Sequence, residues 1–216
     1  MELQKTTGIV LLSAPIGERE RRVVLLTKEH GKLSAFARGA MRPNSPLRAA
    51  TMPFAFGDFF FYESRNSVTI TGAEIKNSFP DLYTDLEGAL YGYYFLELAE
   101  YYTREYNDEK LMLGLLYQSL KALTTPSLKR RLVKVIYEWK TLVINGEYPD
   151  YERDDLSDTV KYTLGFITFT EIRKLYTFTV SDEILCTLEK YVGSYLNKHL
   201  DRNMKSMEML ETVMKN

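Results

Sequence analysis

Residues 31–48 read Gly31-Lys32-Leu33-Ser34-Ala35-Phe36-Ala37-Arg38-Gly39-Ala40-Met41-Arg42-Pro43-Asn44-Ser45-Pro46-Leu47-Arg48. The first half alternates: Leu33, Ala35 and Ala37 point one way, and Lys32, Ser34, Phe36 and Arg38 the other, which is the period of a half-buried strand. One face of that strand carries an ammonium, a ring and a guanidinium in a row. At Gly39 the strand gives way to a loop with Arg42, Arg48, two prolines and no acid. Such a surface suits a single-stranded nucleic acid, because cations follow the phosphates and rings stack on bases. The plainer alternative is that Lys and Arg keep a strand soluble and protect its edge.

Outward from this stretch the period of two continues. A first strand is expected over residues 3–13, centred on Ile9, Val10, Leu11 and Leu12, and broken at Ala14-Pro15-Ile16-Gly17. A second runs from Arg21 to Thr27. A fourth, from Phe54 to Tyr62, has aromatics on both faces, which predicts burial on both sides. A polar turn, Ser64-Arg65-Asn66-Ser67, leads to a fifth strand through Val68, Ile70 and Gly72. Five short strands separated by Gly, Pro and polar turns predict a small closed or nearly closed barrel over residues 1–79. In a barrel of the OB type, strands two and three and the 1–2 and 4–5 connections face the nucleic acid. Those positions hold Arg19 and Arg21, Arg65, and Lys32, Phe36 and Arg38; the 3–4 connection adds Arg42 and Arg48.

From Asp81, read as an N-cap after Pro80, the period becomes 3.6, with Leu82, Leu86, Ala89, Leu90, Tyr93 and Leu96 on one stripe. A second helix carries Leu111 to Leu123. Thr125-Pro126 reads as the cap and first position of a third helix, which Gly146 ends. Residues 147–166 have no clear period and an acidic turn of Asp154, Asp155 and Asp158, read as solvated. Ser181 caps a further helix, and Met204, Met207, Leu210 and Met214 mark a last short one. The fold class is therefore α+β: a five-stranded OB-type barrel, then an all-helical domain over residues 80–216.

Charge divides the same way. Residues 1–80 hold 11 Lys/Arg against 7 Asp/Glu, while the rest holds 17 against 22, within a net charge of −1. A basic front and an acidic back suggest separate jobs. The lone cysteine, Cys186, excludes an internal disulfide and a four-cysteine zinc site, and fits a reduced setting. No secretory leader and no membrane span is expected. Neither His30 nor His199 stands beside a second metal-ligand type, and no Gly-rich phosphate loop occurs, so no enzyme is expected.

The ordered set of short pieces resembles the RecO family of bacterial recombination mediators. The pieces are Thr7-Gly8-Ile9-Val10-Leu11, Gly17-Glu18 ahead of Val23 to Thr27, Gly31-Lys32-Leu33, and Ala37-Arg38-Gly39-Ala40 with Arg42-Pro43 and Ser45. Then come Pro53-Phe54 with Gly57, Ser78-Phe79, Ala89-Leu90 and Tyr94. Near the end stand Tyr195-Leu196, His199-Leu200, Lys205-Ser206 and Leu210. The resemblance implies binding to single- and double-stranded DNA, annealing of complementary strands, and partnership with RecR. It also implies contact with the C-terminal tail of single-stranded-DNA-binding protein, so that RecA is loaded indirectly, in the cytoplasm and on the nucleoid. It implies no catalytic residue and no cofactor. Lys32, Arg38 and Arg42 fall on basic positions of the family pattern, and Arg48 does not match. Many members carry a four-cysteine zinc site where this chain has the short, cysteine-free region 147–180. No zinc is therefore expected, and that region should be held by packing alone. Two rival readings stay open: an interaction adaptor working through the acidic helical half, and an RNA-binding OB protein.

Overall fold

The computed structural model describes residues 2–65, 67–153 and 155–214; Asn66, Asp154 and the Met214 side chain, named in the turns and last helix above, lie outside the described residues. The chain divides into two compact units, residues 1–80 with 96–113 and residues 81–95 with 114–216.

In the first unit, β1 (Leu3–Ile16), β2 (Glu20–Thr27), β3 (Lys32–Ala37), β4 (Phe56–Ser64) and β5 (Ser67–Asn77) close into a barrel in the order β1-β2-β3-β5-β4. Among the described strands only β3 and β5 pair in parallel, so the barrel has the OB-type connectivity. A register shift between Val10 and Leu12 bends β1, which lets one long strand pair with β2 on one side and β4 on the other. Val23, Leu25, Ala35, Ala37, Phe59 and Ile70 fill the interior. The short helix α1 (Leu47–Ala50) lies in the β3–β4 connection.

Two expectations for the strands change. Ala14, Pro15 and Ile16 stay in register opposite Arg22, Arg21 and Glu20, so the chain turns at Gly17 and not before it. On β4, Phe59 and Phe61 are buried in the barrel, but Phe60 is half-buried and Tyr62 exposed on the outside. Phe60 and Tyr62 are not under a second layer, whereas Phe54, just ahead of the strand, is fully buried; the Lys5 ammonium sits 5.3 Å from the Phe60 ring centre.

The helices are α2 (Pro80–Thr84), α3 (Leu86–Tyr102), α4 (Lys110–Leu123), α5 (Arg130–Ile144), α6 (Asp158–Phe169), α7 (Asp182–His199) and α8 (Lys205–Met214). The first predicted helix is thus two. Asp85, not Asp81, caps the longer one, accepting from the Gly88 amide at 3.0 Å. Thr125-Pro126 opens no helix, because the Thr124 and Thr125 hydroxyls donate to the Lys121 carbonyl and finish α4. The α5 helix starts only at Arg130. It ends as expected at Gly146, whose φ of +71° lets the Glu147 amide reach the Leu142 carbonyl at 2.9 Å. Ser181 caps α7, as read from the sequence.

Region 147–180 holds the unexpected helix α6, capped by Ser157. Packing alone does not hold it. The buried Lys140 ammonium donates to the Ile167, Thr168 and Thr170 carbonyls at 3.0, 2.8 and 2.9 Å. Beside it the Trp139 indole donates to the Thr168 hydroxyl at 2.9 Å. One cation from α5 therefore gathers the carbonyl end of α6, where the helix dipole favours it. Desolvation lowers the lysine pKa from 10.5.

Candidate nucleic-acid interface

The β2–β3 hairpin sets the geometry. Its antiparallel register puts Arg21 opposite Ala37, Arg22 opposite Phe36, Val24 opposite Ser34 and Leu26 opposite Lys32. Since Val23, Leu25, Ala35 and Ala37 point into the core, the period of two sends Arg22, Ser34 and Phe36 outward. The Arg22 Nε donates to Ser34 Oγ at 3.1 Å, which lays its guanidinium along the outer face. Phe36 is half-buried there, between Arg22 on β2 and Thr69 on β5.

The loops bring further cations to the same end of the hairpin. The Met41 amide donates to the Arg19 carbonyl at 3.1 Å, joining the β3–β4 connection to the β1–β2 turn. Arg21 Nη1 donates to the Arg48 carbonyl at 3.3 Å and lies 2.8 Å from Met52 Sδ, tying α1 to β2. Arg38 directly follows β3, and the Arg42 side chain lies against Gly39, 3.5 Å from where a Cβ would stand. Arg19, Arg21, Arg22, Arg38, Arg42 and Arg48 are thereby collected at one end. Arg21 is half-buried and the other five are exposed. Among the described residues none of the six is paired with a carboxylate, although Glu18 and Glu20 share the turn with Arg19.

Lys32 and Arg65 stand apart from this group. The Lys32 ammonium donates to both the backbone carbonyl and Oε1 of Glu100 at 2.9 Å, at the opposite end of β3. Arg65 occupies the exposed β4–β5 turn, ahead of the Val68–Ala35 pair that starts the parallel β3–β5 contact. Arg22 is the cation that the sequence reading passed over. Adjacent Arg21 and Arg22 cannot share a face of one strand, and assigning Val23 and Leu25 to the interior selects Arg22 as the outward one.

The barrel's other flank is built differently. Asp58 on β4 accepts from Lys76 at 2.8 Å, from the Thr7 hydroxyl at 2.7 Å, and from Lys5 at 2.9 Å. These hydrogen bonds, the one from Lys76 foremost, hold its carboxyl far below the ordinary 3.8. The two lysines there neutralise a buried acid. His30 meets Phe61 edge to face at 5.5 Å. No group of three His, Cys, Asp or Glu side chains able to hold a metal occurs among the described residues. No helix among the described residues is long and apolar enough to cross a membrane.

Residues 1–79 match the family described as recombination protein O N terminal, and residues 83–155 match recombination protein O C terminal. The chain is similar to the DNA repair protein RecO of Acetivibrio thermocellus, with 23% identity over 99% of this chain and 98% of that protein. It is 34% identical to the DNA repair protein RecO of Bacillus subtilis over 68% of this chain, which covers 58% of that protein. With the DNA repair protein RecO of Desulforudis audaxviator the identity is 35% over 69% of this chain, covering 59% of that protein.

Proposed function

The chain belongs to the RecO family of DNA repair proteins, and from that premise we propose that it binds single- and double-stranded DNA through the guanidinium cluster of the β2–β3 hairpin. On this reading it is a non-enzymatic mediator of the cytoplasm and nucleoid. It anneals complementary strands, acts with RecR, and contacts the C-terminal tail of single-stranded-DNA-binding protein so that RecA is loaded. The observation that supports the reading is six guanidiniums at one end of a hairpin with no carboxylate partner among the described residues. Guanidinium suits phosphate because its planar fork donates to two oxygens at once. Each phosphate neutralised releases counterions, contributing about 0.7 to the log–log salt slope on a single strand. Annealing follows from the same charge, since two screened backbones approach where two bare ones repel. Phe36, beside Arg22, supplies a ring for one unpaired base.

The test is a fluorescence-anisotropy titration of single-stranded DNA against the full chain over a range of salt, with an RNA oligonucleotide as competitor. Replacing Arg38 and Arg42 by Ala is expected to weaken binding and to lower the slope by about 1.4, two phosphates' worth, with no change in thermal melting. Unchanged affinity and slope in that double variant would remove the cluster from the site.

A further inference from the structure

The described chain has three non-glycine residues with left-handed backbone, and all three are aromatic: Phe54 at φ 70°, Phe79 at φ 49° and Tyr106 at φ 61°. For a bulky L residue this conformation is disfavoured, and it persists only where the surroundings impose it. Phe54 and Phe79 are 0% and 3% exposed, so burial of a whole ring offsets their strain. Tyr106 is 75% exposed. Its strain is matched by no buried surface.

The strained residue is nevertheless held firmly. The Tyr106 amide donates to the His30 carbonyl at 3.0 Å, and the Lys32 amide donates to the Arg104 carbonyl at 2.9 Å. Residues 104–106 thus dock against the tip of the β2–β3 hairpin, bridging Gly31 to Glu105. Gly31, itself at φ +62°, is what allows it, because a Cβ there would lie 2.3 Å from the Arg104 carbonyl oxygen. Arg104 and Glu109 brace the segment: the guanidinium donates to the Tyr101 and Thr103 carbonyls, and Glu109 accepts from the Arg104 amide. The nearby charges largely cancel, with Lys28 paired to Glu29 and Lys110 to Asp108, and the exposed Arg104 guanidinium offsetting the exposed Glu105.

The arginines and Phe36 lie toward one end of the hairpin, and Tyr106 stands off the other. From Lys32 to Ala37 the strand spans about 17 Å, room for more than one nucleotide of an extended single strand. We infer that Tyr106 is a base-stacking residue, posted at the hairpin tip to receive an unpaired nucleobase of a single strand whose phosphates the arginine end holds. The inference rests on the DNA-binding reading above. Because the tip is nearly neutral, the ring's contribution is independent of salt, unlike that of the arginines.

The experiment compares the full chain with Tyr106→Asn, which tolerates the left-handed backbone but has no ring, and with Tyr106→Phe, which keeps the ring. Binding of an oligothymidine and of a duplex of equal length is measured by anisotropy at several salt concentrations, alongside thermal melting. Tyr106→Asn is expected to melt at or above the parent temperature. It should bind the single strand about tenfold more weakly at every salt, with the slope and the duplex affinity unchanged; Tyr106→Phe should bind like the parent. If Tyr106→Asn binds the single strand as well as the parent does, or Tyr106→Phe loses as much as Tyr106→Asn, the stacking role is overturned. Loss of single-strand and duplex binding together in Tyr106→Asn also overturns it. A parent chain that binds no DNA at all is a different failure, that of the DNA-binding reading itself.

Discussion

Two basic runs in this chain look alike on paper and differ in what surrounds them. Lys129-Arg130-Arg131 with Lys134, at the start of α5, is denser in cations than Arg38 to Arg48. In the helical unit Lys129 pairs with Asp182 at 2.7 Å, Arg131 with Glu189, and Lys134 with the buried Glu138 at 2.9 Å. Arg130 joins both Asp85 and Glu87. In the barrel, Arg38, Arg42 and Arg48 have no carboxylate partner among the described residues. A cation already satisfied by an acid has little left for a phosphate, so the availability of charge, and not its density, separates a structural run from a polyanion surface. The acidic excess of the second half of the chain is in part the set of partners that its own lysines and arginines require.

The largest effect is expected where a cation is most completely engaged. Lys140→Met keeps the length of the side chain but leaves three carbonyls of the α6 end, two of them buried, without their donor. It should lower stability by about 3 kcal/mol, read as a shift in urea midpoint, while the arginine end of the barrel is untouched and single-strand affinity of the folded fraction stays at the parent value. A destabilisation below about 1 kcal/mol would mean that the contacts of Trp139 and the apolar side of α6 hold the region without the lysine.

A charge-matched pair of variants separates engaged from available cations. Removing Lys129 and Arg131 takes away as much positive charge as removing Arg38 and Arg42. The helical double variant, to Ala at both positions, should change single-strand affinity less than twofold and leave the salt slope unaltered. It should cost about 1 kcal/mol of stability, the range for exposed ion pairs. Should it weaken DNA binding as much as the barrel double variant, the distinction between engaged and available cations fails.

How far the sequence reaches follows from the same distinction. The barrel is legible because alternation is local: Leu33, Ala35 and Ala37 against Ser34 and Phe36 fixes a strand and its faces together. The gathering of Arg38 and Arg42 is legible once the loop is seen to lack acids. That Lys32 is held by Glu100 is not, because the two are 68 positions apart and meet only through tertiary folding. Helix α6 was obscured by the exposed Tyr162 and Phe169, which blur the stripe of Val160, Leu164 and Ile167. The Lys140 clamp had no signal at all, since a lysine next to a tryptophan in a helix ordinarily reads as a solvated position. Strain at Tyr106 is likewise invisible to any pattern; it is imposed by the fit against Gly31.

The barrel has engaged cations of its own. Asp58 is held ionised by Lys76, Thr7 and Lys5, with its pKa far below 3.8. A carboxyl whose folded pKa is depressed stabilises the fold above its unfolded value and loses that contribution as pH falls toward the folded one. Acidification from about pH 4 to pH 2 should therefore erode the parent's stability through this group, while Asp58→Asn lacks that component of the slope. At neutral pH the variant should be less stable by about 1–2 kcal/mol, and the difference should shrink below about pH 4. The same variant releases Lys76 and leaves Lys5 only Glu74, at 4.0 Å, on the β1–β4–β5 side of the barrel. If any free cation on the barrel served, single-strand affinity would rise. Because these two lie away from the guanidinium end, the expected change is less than twofold, and a larger gain would make the whole barrel surface, rather than one end of a hairpin, the element that holds the phosphates.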